Sequence, residues 1–150
     1  MVKSSTMETL INLAAEEVER AAVVLGHTVT AGAQAEQKLA LLVQYREDYV
    51  VRFEENRQAG LSVLGYKNYQ FFIDKLDAAI DGQRQLVKQA QERIEEAKAA
   101  WQACERKRAS YEILQTRAQM QAMKKESRRE QKEADEFSSR KVRMAKLKQR

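Results

Sequence analysis

Apolar residues recur every three and four positions over two long stretches of the chain. From Ile11 the steps reach Ala14, Val18, Ala21, Leu25, Thr28, Gly32, Ala35, Leu39, Leu42, Arg46, Tyr49 and Phe53, and ten of these 13 positions are apolar. A second series runs through Tyr66, Tyr69, Ile73, Leu76, Ile80, Gln83, Val87, Ala90, Ile94, Ala97, Trp101 and Cys104, with Gln83 as its one polar member. An ideal helix drifts away from a 3.5-residue repeat, so an apolar stripe kept this long faces a neighbouring helix only if the two supercoil. The pattern predicts a left-handed coiled coil and no strands.

The two series are separated by Asn56 to Gly65, which holds Gly60 and Gly65. Gly60 can end a first helix in the left-handed conformation that other residues avoid, and Ser62 can cap a second through its hydroxyl. The expected fold is all-α: an antiparallel two-helix coiled coil, or α-hairpin, with an overhanging C-terminal helix. As a single domain over 1–150 it places helix 1 at about 8–57, the turn at about 58–64, helix 2 at about 65–140 and a frayed basic tail at about 141–150. The competing arrangement is one uninterrupted helix that pairs with a second copy. In the hairpin, facing residues have numbers summing to about 122, so residue 10 lies opposite residue 112 and the rest of helix 2 has no partner. At about 1.5 Å per residue, helix 1 is roughly 75 Å long and helix 2 overhangs it by some 40 Å.

Composition agrees with this outline. Proline is absent from all 150 residues, 33% are charged and 7% aromatic, which suits long helices with a narrow seam better than a thick globular core. The small seam residues Ala14, Ala21, Gly32, Ala35, Ala90 and Ala97 bury little area, at about 25 cal/mol per Å², which predicts modest stability. Arg46 and Gln83 interrupt the seam; they either fix register or turn outward along their apolar stems, and the pattern does not choose. Charge is unevenly placed: residues 113–150 hold 12 Lys and Arg against 5 Asp and Glu, whereas residues 1–112 hold 15 against 17.

Catalytic chemistry finds no foothold. His27 is the single histidine and falls away from the seam. Cys104, the single cysteine, sits in the seam as a small hydrophobe without a base to activate it, and excludes an internal disulfide, pointing to a reducing, cytosolic setting. Carboxylate neighbours such as Glu54 and Glu55 point to different helix faces with no pocket to dry them. No cofactor or metal site is expected. No stretch reaches the roughly 20 apolar residues of a membrane span, and residues 1–20 contain no secretory signal.

Two surfaces invite partners. Tyr45 lies beside the seam on the first helix, and Phe72 and Ala79 lie beside it on the second. With Leu42, Tyr49 and Leu76 they fall at one level of the hairpin. A two-helix coil has no third layer to cover flanking rings, so this group is either a protein-binding patch or a widened seam. The second surface is the basic overhang, with Lys124, Lys125, Arg128, Arg129, Lys132 and, as its one aromatic, Phe137. Interleaved Glu126, Glu130 and Glu133 supply helix-stabilising charge pairs and dilute the basic character. Nucleic-acid binding favours a purer basic run with stacking rings, and a membrane surface favours a broad apolar face. A cationic helix entering an acidic cavity of a protein partner fits better.

Tyr45 with Tyr49, Asn68-Tyr69-Gln70 with Phe72-Ile73, Trp101, and Gln131-Lys132 followed by Asp135-Glu136-Phe137 give the chain a resemblance to the flagellar FliJ family over nearly its whole length. Proteins of that family are small soluble stalk components of the flagellar type III protein export apparatus. The resemblance implies an antiparallel two-helix coil similar to the central shaft of rotary ATP synthases, with its termini in the pore of the hexameric export ATPase. It also implies contact with the membrane-embedded export gate through Leu42, Tyr45, Tyr49, Phe72, Leu76 and Ala79, and a link to escort of export chaperones. The ATPase-facing surface is then the basic overhang. The implied location is cytoplasmic, peripheral at the inner membrane, with no nucleic acid and no membrane insertion. Lys38 and Gln83 stand at the patch rim where relatives carry Gln and His. The same fold also serves as the stalk of virulence-type secretion systems, and a basic nucleic-acid-associated coil is a further rival.

Overall fold

A computed structural model of the chain describes residues 4–149. Two helices, α1 (Ser4–Gln58) and α2 (Val63–Lys148), account for nearly all of them and pack against each other, and there is no strand among the described residues. None of the described helices is long and apolar enough to cross a membrane.

The turn follows from two residues. Gly60 takes φ +97°, a left-handed conformation that costs a side chain steric strain, and its N–H donates to the Arg57 carbonyl at 3.2 Å. Ser62 then opens α2: its Oγ accepts from the Gly65 N–H at 3.1 Å while its carbonyl accepts from the Tyr66 N–H at 3.1 Å. That is the N-cap arrangement, which satisfies a donor left unpaired in the first turn.

The helices are longer than the pattern of residues predicts. α1 already begins at Ser4, and α2 continues to Lys148, past the expected end near 140. The segment 141–148, expected to fray, is helical; Arg150 lies outside the described residues. After Gly82 the sequence contains neither Gly nor Pro, and Arg129 lies one turn from both Glu126 and Glu133 (3.8 and 3.7 Å), so nothing in the backbone chemistry stops the helix.

By internal packing the chain divides into two units, Glu16–Cys104 and Met1–Ala15 with Glu105–Arg150. Within the first, every seam position of α1 from Val18 to Phe53 is buried or half-buried. So is every seam position of α2 from Tyr69 to Cys104, with Ile73, Leu76, Ile80 and Ala97 among the most covered. Tyr66, beside the turn, is the exception at 55% exposure. Within the second unit, Ala14 is buried and Tyr111 and Gln115 are half-covered. From Thr116 to Gln149 every residue is exposed.

The seam residues Gln83 and Arg46 both bond across the coil. Gln83 is buried at 5% exposure and its Nε2 donates across the coil to the Ala35 carbonyl at 2.9 Å. Arg46 Nε donates to Asp77 Oδ1 at 2.5 Å and Nη2 to Oδ2 at 3.5 Å. Asp77 raises the Arg46 guanidinium above its ordinary value through this hydrogen bond and the opposite charge, so Arg46 stays charged at any working pH.

Candidate protein-binding surfaces

The level of the coil that holds the expected patch is built from rings. Tyr45, Tyr49 and Phe53 occupy i, i+4 and i+8 of α1, and Tyr66, Tyr69 and Phe72 occupy i, i+3 and i+6 of α2. These spacings bring side chains onto one face of each helix. Because the helices run antiparallel, the rings interleave in the order Tyr45, Phe72, Tyr49, Tyr69, Phe53, Tyr66. Tyr45 meets Phe72 edge-on at 6.2 Å, and Phe72 meets Tyr49 at 4.5 Å. Tyr49 stacks on Tyr69 at 5.6 Å, Tyr69 on Phe53 at 3.5 Å, and Phe53 touches Tyr66 at 6.0 Å. Edge-on and offset ring pairs of this kind contribute about 0.5–1.5 kcal/mol each beyond the area they bury.

The six patch residues divide accordingly. Tyr45, Tyr49 and Phe72 are in direct ring contact. Leu76 is buried in the seam, whereas Ala79 is exposed and Leu42 half-buried. What faces outward at this level is half of Tyr45, part of Phe72 and Ala79. Leu41 and Phe71, both exposed, adjoin Leu42 and Phe72 in sequence, and Lys75 holds its Nζ 4.6 Å from the centre of the Phe71 ring. At the expected rim, Lys38 is exposed, but Gln83 is spent on the Ala35 carbonyl inside the seam.

Residue-by-residue reading assigned Phe53, Tyr66 and Tyr69 to the seam alone and missed their membership of the ring series. The signal was present in the i, i+4 and i, i+3 aromatic spacing of the two helices. The Arg46–Asp77 pair was invisible because its partners are 31 residues apart and no local rule joins them.

On the C-terminal half of α2, Lys124, Lys125, Arg128, Arg129, Lys132 and Phe137 are all exposed, Phe137 at 68%. Arg129 lies near two glutamates, at distances of 3.7–3.8 Å that make weak solvated pairs. Among the described residues no group of three or more His, Cys, Asp or Glu side chains is gathered to hold a metal ion.

The family model described as "Flagellar FliJ protein" matches residues 3–147. The flagellar FliJ protein of Escherichia coli strain K12 is 33% identical over 140 residues, covering 93% of this chain and 95% of the relative. The flagellar FliJ protein of Salmonella typhi is 31% identical over the same shares of each chain.

Proposed function

The chain belongs to the flagellar FliJ protein family, and on that premise we propose that it is a non-enzymatic stalk of the flagellar type III protein export apparatus. In this reading the C-terminal half of α2 binds in the central pore of the hexameric export ATPase. The ring-bearing level around Tyr45 and Phe72 docks on the membrane export gate, holding the protein at the cytoplasmic face of the inner membrane. Export chaperones are a third class of partner.

The observation that carries this reading is the uncovered helix from Thr116 to Gln149. A helix of that length without an apolar seam against a neighbour gains nothing from tertiary packing, which is where most helical stability arises. Its cationic, acid-interleaved surface suits a protein cavity of opposite sign, where charge complementarity sets orientation and speeds encounter. The half-exposed ring of Tyr45 supports the second contact, since rings that are rigid and partly accessible are typical anchors of protein interfaces.

The test is ATP turnover by the purified cognate export ATPase, with and without this protein. Stimulation that disappears on deleting residues 113–150 supports insertion of α2 in the ring. Turnover unchanged by the full chain, under conditions where the ATPase is hexameric, refutes the ATPase-coupling part of the reading.

A further inference from the structure

We propose that α1 opens locally over residues 21–33 while the facing stretch of α2 remains helical, making this part of the coil a built-in point of compliance. The proposal concerns the isolated protein and does not depend on the partners assigned above.

Fifteen consecutive residues, Ala21 to Ala35, carry no Asp, Glu, Lys or Arg, in a chain where 33% of residues are charged. No i,i+4 ion pair can therefore brace the backbone there. The same stretch gathers Val23, Val24, Thr28, Val29 and Thr30, whose branched side chains lose freedom in a helix, and Gly26 and Gly32, whose backbones lose the most. Burial does not compensate, because Val23, Val24 and Val29 are 60%, 54% and 49% exposed.

Two further features weaken the segment from within. Thr28 Oγ1 donates to the Leu25 carbonyl at 2.8 Å and Thr30 Oγ1 to the Gly26 carbonyl at 3.0 Å. Hydroxyls that bond back to the preceding turn compete with the helical ladder and bend it. The seam beneath has one large group, the half-buried Leu25, among the small groups Ala21, Thr28, Gly32 and Ala35, so little apolar area holds this stretch down. The facing part of α2 is its opposite: between Val87 and Trp101 it carries Lys88, Glu92, Arg93, Glu95, Glu96 and Lys98 among strong helix formers and contains no glycine. Local opening concentrates where contacts and backbone preference are weakest, so α1 gives way first.

Hydrogen exchange of the full-length protein, read residue by residue, tests this. Amides of residues 24–33 are expected to exchange at least about tenfold faster than those of 37–53 and 88–100. A Cβ added at Gly26 meets nothing within 4 Å, so Gly26→Ala fits without strain and should slow the amides of 24–33 alone, by about fivefold. A Cβ at Gly82 is equally unobstructed, and Gly82→Ala should leave those amides unchanged. Protection of 24–33 equal to that of its flanks would overturn the proposal. So would a Gly26→Ala effect spread evenly along both helices, since exchange would then pass through global unfolding.

Discussion

Gln83 is the residue that most separates register from stability. Its amide bonds the Ala35 carbonyl, which as a mid-helix group keeps its acceptor role within α1 if Gln83 is removed. Gln83→Leu is therefore expected to leave stability to urea unchanged or to raise it by up to ~1 kcal/mol. Gln83→Glu should lower it by ~2 kcal/mol at neutral pH, because an ionised carboxylate cannot donate and is buried. The sign of the pH dependence follows: burial raises the folded-state value of that Glu above its ordinary ~4.3, so the deficit is full at high pH and shrinks as pH falls through the raised value. Gly32 poses a packing test, since a Cβ there would lie 2.8 Å from Ile94 Cδ1. Gly32→Ala should cost about 1–2 kcal/mol, and combining it with Ile94→Val, which deletes that methyl, should recover most of the loss in a double-mutant cycle. For the proposed gate contact, Tyr45→Ala with Phe72→Ala should weaken gate binding at least about tenfold. The helical signal in circular dichroism should stay unchanged, and an unaltered affinity would remove the patch from the reading.

The turn between α1 and α2 owes its form to local chemistry more than to packing. Gly60→Ala places a side chain at φ +97° and should cost about 1–2 kcal/mol in thermal or urea unfolding. Ser62→Ala removes the hydroxyl that caps the Gly65 N–H and should cost about 1 kcal/mol. Both residues could be singled out beforehand, because left-handed caps and N-caps have strong residue preferences. Helix ends were less legible. α2 extends past 140, where fraying was expected, because neither Gly nor Pro follows Gly82 to stop it. The ring series was half legible: each helix announced its aromatic face, but their interleaving needed both helices side by side.

Charge and coverage change together along α2, and this is what gives the protein two different kinds of surface. Residues from Thr116 to Gln149 are exposed throughout, and the stretch 113–150 carries 12 basic against 5 acidic groups. Deleting residues 116–150 should therefore leave the unfolding free energy of the remaining chain, measured in urea, within about 0.5 kcal/mol of that of the full protein, as removing uncovered surface residues normally does. The amino-acid sequence by itself determined the all-helical class, the two seams, the site of the turn and the separation of charge. Each of these rests on periodicity or on the backbone preferences of single residues, which act over one or two helical turns. Only the tertiary structure decided that Arg46 pairs with Asp77, that Gln83 turns into the seam, and that six rings alternate between the helices. Those outcomes join residues far apart in the chain, where distance and direction are set by how one helix lies against the other and no local preference can anticipate them.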